Sequence, residues 1–247
     1  MISCDLNCDM GEGIGNDKEL MAFITSANIA CGYHAGNETT MHETVKLANQ
    51  FGVAIGAHPS FLDRENFGRT EIKEITPQQV YNLVTDQLKI LQTIVIANKA
   101  KLHHVKPHGA LYNMAAKNAT LSKAIAKAVF DFDKNLVFYG LSGSYLISEA
   151  KALGLKTASE VFADRTYQDD GNLTPRTQPD ALIPDEELSV KQVLQMIQKG
   201  KVTAVSGKEI SIVAETICLH GDGKNAVAFA KRIYKELKRK EIEVTTV

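Results

Sequence analysis

Short apolar runs alternate with longer segments of helical period along the chain, the pattern of β/α units wound about a parallel sheet. The runs that predict strands are Ile2–Cys8, Ile24–Cys31, Val53–Ala57, His104–Lys106, Leu136–Gly140, Lys156–Glu160, Val202–Ser206 and Glu215–His220. Seven or eight such strands fit a closed barrel, so the expected fold is α/β, one β/α barrel domain over residues 1–247. Val80, Leu83, Val84, Leu88, Leu91 and Val95 recur at helical spacing behind Thr76-Pro77, with Gln79 placed to complete a capping box. Ser189 with Gln192 predicts the opening of another helix through Val193, Leu194 and Ile197. Val227, Ala230, Ile233, Tyr234 and Leu237 predict an amphipathic C-terminal helix. The stretch 161–188 breaks the rhythm with Gly171, Pro175, Pro179, Pro184 and many polar residues. A loop of this length in a compact domain is typically a lid or a disordered segment, and the apolar anchors Phe162, Tyr167 and Leu173 favour a lid.

Composition narrows the partner class. With 247 residues, 44% hydrophobic and 23% charged, the chain lies in the globular range. A formal net charge of -1 gives no electrostatic reason to expect nucleic acid or an anionic membrane surface, which leaves a small molecule or a protein. Cys4, Cys8, Cys31 and Cys218 form no C-x-x-C pair, so neither a disulfide framework nor a thiolate zinc site is indicated. The N-terminal run meets Asp5 too soon for a signal core and no run is long enough to span a bilayer, so a cytoplasmic location is expected.

In parallel β/α folds the loops after the strands carry the site, which gives positional meaning to polar residues there. Such residues follow most predicted strands: Asn7-Cys8-Asp9-Met10-Gly11-Glu12, Cys31-Gly32-Tyr33-His34, Gly56-Ala57-His58, His104-Val105-Lys106-Pro107-His108 and His220-Gly221-Asp222. A single histidine is most often a surface or hydrogen-bonded core residue. Here five of seven, His34, His58, His104, His108 and His220, stand at or beside strands, leaving His42 and His103 as bystanders. Strand alternation sends His104, Lys106 and His108 to one side and Val105 to the other. A lysine inside a barrel needs a carboxylate or a function, and Asp5, Asp9 and Glu12 are the nearest candidates by topology.

Other motifs carry less. Gly11-Glu12-Gly13-Ile14-Gly15 has the wrong spacing for a dinucleotide fingerprint, and no G-x-x-x-x-G-K-[ST] phosphate loop occurs. Ser142 between Gly140 and Gly143 only partly mimics a nucleophile elbow and reads as a turn residue. Arg165, where the sixth run enters the long loop, could grip a carboxylate bidentately or simply form a surface salt bridge.

At these residues the sequence resembles the LamB/YcsF family. The motifs are Asp5-Leu6-Asn7-Cys8-Asp9-Met10-Gly11-Glu12, the run 28–37 from Asn28 to Asn37, Gly56-Ala57-His58-Pro59-Ser60, the run 105–112 from Val105 to Tyr112, and Glu160-Val161-Phe162-Ala163-Asp164-Arg165. Mild departures are Asn37, where an acidic residue is common, and Phe61, where tyrosine often stands. The resemblance implies an irregular seven-stranded TIM-like barrel of the glycoside hydrolase/deacetylase type. It also implies a hydrolase, the A subunit of 5-oxoprolinase, working with two further subunits, B and C. The substrate would be 5-oxoproline, opened to L-glutamate as ATP is hydrolysed to ADP and phosphate, with the nucleotide site supplied by the partners. Asp9, His58, Lys106 and His108 are then expected at the reacting centre, and Asn7, Glu12, His34 and Arg165 around the substrate. Related deacetylases bind a divalent metal through one aspartate and two histidines, matched here by Asp9, His58 and His108. Two alternatives stand beside this reading: a stand-alone metal-dependent deacetylase or amidohydrolase, and a non-catalytic subunit that binds a small carboxylate or regulates.

Overall fold

The computed structural model describes residues 2–219, 221 and 226–247, so the predicted strand end at His220 and the neighbouring Asp222 lie outside the described residues. The elements run β1 (Ser3–Met10), α1 (Asp17–Leu20), β2 (Ser26–Ala30), α2 (Glu38–Phe51), β3 (Ala54–His58), α3 (Pro77–Ala97) and β4 (Leu102–Val105). They continue with α4 (Gly109–Ala116), α5 (Ala119–Phe132), β5 (Val137–Leu141), α6 (Tyr145–Ala152), β6 (Thr157–Phe162) and α7 (Glu186–Lys199). The chain ends with β7 (Lys201–Thr203), β8 (Glu209–Ser211), β9 (Thr216–Leu219), α8 (Ala226–Arg239) and β10 (Glu243–Val244).

Strands β1 to β6 pair in sequence order, all parallel, and β9 pairs with both β6 and β1, closing a ring of seven. β10 adds alongside Ser3 and Cys4 at the lower end of β1. The run Val202–Ser206 is not a barrel strand as the sequence suggested. β7 and β8 form an antiparallel hairpin outside the ring. Only Val202 of β7 is buried, between exposed Lys201 and Thr203, whereas ring strands are buried on both faces. A turn ending in left-handed Gly207 reverses the chain before β9 can form.

The α3 prediction holds, with Thr76 and Gln79 making the reciprocal capping box. Helix α7 starts three residues before Ser189, because Asp185 caps it by accepting from the Glu187 and Leu188 amides. Ser189 and Gln192 act instead as anchors. The Ser189 hydroxyl donates to the Ala163 carbonyl, and the Gln192 amide donates to the Phe162 and Arg165 carbonyls, tying α7 to the start of the long loop.

Strand alternation divides the molecule into two kinds of interior. Leu6, Ile29, Val161 and Ile217 face outward and pack with helix residues such as Val45, Leu88, Leu91 and Leu111 in the apolar core. Inside the ring many side chains are polar, beside a small apolar cluster of Val137, Tyr139 and Ala158. At the bottom the buried Asp5 carboxylate accepts from the hydroxyls of Thr25, Ser26 and Thr216, and burial holds it above the usual carboxylate range. One layer up, Asn7 donates to Thr216 and accepts from Asn28, and Asn28 accepts from His104 Nε2 at 2.9 Å. The His104 ring stacks on Tyr139 with centroids 4.2 Å apart. Its other side is open only because residue 56 is glycine: a Cβ there would stand 2.0 Å from His104 Nε2.

Gly56→Ala should therefore force His104 out of its layer and destabilise the fold by about 3 kcal/mol or more, since overpacking is compounded by lost buried hydrogen bonds. Urea unfolding checks this, and an unchanged midpoint contradicts it.

Candidate active site

The upper end of the ring is built from the residues that follow the polar layers. Asp9 completes the inward face of β1, His58 ends β3, and Lys106 and His108 follow β4 on either side of Pro107. Lys106 N donates to the Ala57 carbonyl and His108 N to the Pro59 carbonyl, so the β3–β4 ladder continues past the strand and fixes both side chains.

The Lys106 ammonium is almost fully buried and sits 2.9 Å from Asp9 Oδ1 and 2.8 Å from Glu160 Oε1. Asn7 Oδ1 and Cys218 Sγ complete its surroundings at 3.2 and 3.1 Å. Burial works against the charge, but Asp9, Cys218 and Glu160 outweigh it and hold Lys106 well above the usual lysine range. Of the three carboxylates that topology suggested for Lys106, only Asp9 reaches it. Asp5 lies in the layer below and Glu12 faces the histidines. The Glu160 contact is an ion pair by distance without hydrogen-bond alignment at Oε1, while Oε2 accepts from the Tyr112 hydroxyl at 2.7 Å.

Beside this pair three imidazoles converge. His108 Nδ1 lies 2.8 Å from His58 Nε2, and His34 stacks on His108 with centroids 3.8 Å apart. Glu12 Oε1 is 3.2 Å from His34 Nε2 and 3.9 Å from His108 Nδ1, and Asp9 Oδ2 is 3.2 Å from His58 Nε2. Glu12, His34, His58 and His108 each offer one ligand atom, all within 4.8 Å of one another. Asp9, by contrast, has its Oδ1 engaged by Lys106 and by the Asn28 amide.

Above the cluster opens a cavity of about 470 Å³. Asp9, Glu12, His58, Lys106 and His108 line its base; Phe67 and Arg69 come from the loop after β3, and Arg165, Leu173, Thr174 and Arg176 from the loop after β6. That loop is ordered by bridges from Arg165 to Leu182 and from Tyr167 to Leu173, with Tyr167 and Leu173 buried as the sequence suggested. Phe162, expected as a loop anchor, is the last residue of β6. Arg165 is 4% exposed and donates to the carbonyls of Thr174 and Ala181. Among the described residues no carboxylate stands in salt-bridge contact with it. Burial, then neighbouring Arg176, lowers it to about 10, still cationic at neutral pH. Two residues expected at the substrate are off the cavity wall: Asn7 is a barrel-interior bridge, and His34 lies behind His108. His42 and His103 stand apart from the cluster, His42 against Asn98 and His103 against His104.

Sequence reasoning missed Glu160, Asn28, Ser60 and Tyr112 as parts of the site. Glu160 carried a signal, a carboxylate in the otherwise uncharged run Thr157–Phe162, which in a strand buried on both faces demands a cationic partner.

The sequence pattern of the LamB/YcsF family matches residues 4–247. The chain belongs to the LamB/YcsF family. It is 56% identical to the 5-oxoprolinase A subunit of Shouchella clausii over 99% of this chain and 98% of that protein. The lactam utilization protein of Thermus thermophilus superposes with a TM-score of 0.92 at 39% identity, covering 100% of both chains. The peptidoglycan deacetylase PdaC of Bacillus subtilis shares the fold alone, with a TM-score of 0.52 at 11% identity over 100% of this chain and 88% of that one. The irregular seven-stranded barrel expected of this family is thus the fold observed.

Burial lowers His34 from 6.5 to about 4 and holds His104 and His108 well below the usual range. Between the two values such a histidine binds fewer protons folded than unfolded. Stability is therefore complete above the unfolded pKa and is lost as pH falls through the window. With EDTA present, the melting temperature should drop steeply as pH falls from 6.5 to about 4. His34 alone accounts for on the order of 3 kcal/mol at the acid end. A flat profile contradicts the placement of these rings.

Proposed function

We propose that this chain is the barrel component, the A subunit, of a 5-oxoprolinase, and that its cavity opens the lactam of 5-oxoproline to L-glutamate. The carrying observation is that a cationic Arg165, the Lys106 ammonium and the Asp9–His58–His108 cluster line one cavity, in a chain 56% identical to a protein of that name. The lactam carboxylate pairs with Arg165, whose planar fork suits it. This directs the ring carbonyl down toward Lys106 and the histidines.

An unstrained lactam is a poor electrophile, and phosphorylation of its oxygen by ATP makes that oxygen a leaving group. Water then adds to the ring carbon, its proton passing to the Asp9–His58 pair. The C–N bond breaks with a proton delivered to nitrogen, leaving γ-glutamyl phosphate, and a second water hydrolyses this acyl phosphate to glutamate and phosphate. Lys106 holds positive charge beside the oxygen where negative charge develops. His108, fixed by the Phe67 carbonyl, is placed to exchange protons at the cavity base. A divalent ion held by the histidine cluster would supply a Lewis acid and a water of lowered pKa.

The nucleotide site belongs, in this reading, to two partner subunits, B and C, in a cytoplasmic complex. Among the described residues no helix is long and apolar enough to cross a membrane. The loop 163–185 covers the occupied cavity as a lid of the single barrel domain, lining it with Arg165, Leu173, Thr174 and Arg176 among others.

The test is ATP-dependent glutamate formation from 5-oxoproline, first with the chain alone and then with candidate partner subunits. Turnover is expected only in the assembled complex. Lys106→Ala and His108→Ala should lower it by at least about 100-fold, the range seen when a charge-stabilising or proton-transferring group is removed. Arg165→Gln should raise KM more than it lowers kcat. Full activity in the Lys106 or His108 variant refutes the assignment. Unaltered 5-oxoproline binding with turnover indifferent to Asp9 and His108 would indicate a carboxylate-binding role instead. Release of acetate from an N-acetylated sugar by the chain alone, without ATP, would indicate a deacetylase.

A further inference from the structure

We infer that Glu12, His34, His58 and His108 form the ligand set of one divalent first-row transition ion, with Asp9 outside it. The geometry of the three rings and the partners behind them carry this, whatever the organic substrate.

Each of the three imidazoles has one nitrogen turned away from the cluster and held by an oxygen, a carbonyl that can only accept for His58 and His108 and a hydroxyl for His34. His58 Nδ1 lies 2.7 Å from the Lys106 carbonyl. His108 Nε2 lies 2.9 Å from the Phe67 carbonyl. His34 Nδ1 lies 2.8 Å from Ser60 Oγ, which also stands 3.0 Å from the Phe61 carbonyl. The outward nitrogens of His58 and His108 therefore carry the protons, and the inward nitrogens of these neutral rings carry lone pairs.

Those lone pairs point at one another and at carboxylates. His58 Nε2 faces His108 Nδ1 at 2.8 Å and Asp9 Oδ2 at 3.2 Å, and His34 Nε2 faces Glu12 Oε1 at 3.2 Å. No pair of neutral tautomers makes the His58–His108 contact attractive when both outward nitrogens donate, whereas one divalent cation between the inward lone pairs does. The charge pattern agrees: Asp9 and Glu160 share the Lys106 ammonium, while Glu12 faces His34 and His108.

The surroundings fix ring orientation and tautomer, as the groups behind metal-binding histidines do. Phe67 is held at a φ of 57, a left-handed conformation unfavourable for a bulky residue, and in it presents its carbonyl to His108. The next residue must be glycine, since a Cβ at Gly68 would lie 2.9 Å from His34 Cβ and 3.0 Å from His108 Cδ2. Strain stored in the backbone to aim one carbonyl at one imidazole fits a ligand-orienting role. Three imidazoles and one carboxylate select a borderline ion such as zinc or cobalt(II) over magnesium or calcium. Asp9 is engaged on Oδ1 by Lys106 and Asn28, which suits a neighbour of the ion better than a ligand to it.

The test uses the full chain, stripped with a chelator and titrated with cobalt(II), read by its visible ligand-field absorption, with zinc affinity measured by competition against a chromophoric chelator. One equivalent per chain is expected. Glu12→Gln and His34→Ala should each weaken binding by at least about 100-fold. Ser60→Ala, which removes only the oxygen that orients His34 and spares every ligand, should weaken it by about 10-fold and keeps the test decisive if a histidine variant fails to fold. Asp9→Asn should weaken binding by no more than about 10-fold, the cost of losing a group beside a ligand and not a ligand itself. No uptake by the unmodified chain overturns the inference. A loss in Asp9→Asn as large as that in His34→Ala overturns the ligand set. Neither readout involves a lactam, so metal binding by the chain without 5-oxoproline turnover by the assembled complex would refute the proposed activity and leave this site standing.

Discussion

The ammonium of Lys106 between the carboxylates of Asp9 and Glu160 is the contact on which the upper half of the barrel depends. Three strands on opposite sides of the ring, β1, β4 and β6, meet there through one buried cation. Removing that cation would leave two carboxylates facing each other away from water, a more serious loss than the pair's net contribution to stability. The same contact holds Asp9 in place for both His58 and the cavity. Stability and chemistry therefore share atoms at this point.

Below it the barrel interior departs from the layers of branched apolar side chains usual in such folds. Asp5, Asn7, Asn28, His104 and Thr216 form a hydrogen-bonded column from the floor to Asp9. A column of this kind is favourable only when every member has its partner, which explains the tolerance for nothing larger than glycine at position 56. It also makes the orientation of Asp9 a property of the whole interior.

Much of this was legible in the sequence because strand alternation is a strong constraint. The ring strands, the α3 capping box and the inward set His104, Lys106 and His108 follow from period and spacing alone. The hairpin at β7 and β8 was not, because a three-residue strand with one buried side chain has too little pattern to tell an excursion from a barrel strand. The Asp185 cap was hidden by Ser189, an equally good capping residue four positions on. Glu160 escaped because its partner lies on a strand distant in sequence. The ligand set inferred from the rings differs from the Asp9, His58 and His108 set expected from resemblance for a related reason. Which carboxylate faces the histidines depends on how the chain turns after β1, through left-handed Gly11, and spacing does not encode that turn.

The activity proposed for the barrel mouth requires that the lactam binds there. A crystal structure of the assembled complex with 5-oxoproline and a non-hydrolysable ATP analogue tests this directly. The expected result is the lactam in the cavity above Lys106, its carboxylate on Arg165 and its ring carbonyl within hydrogen-bond reach of the Lys106–His108 pair. Finding the lactam in another component of the complex, with this cavity empty, would contradict it.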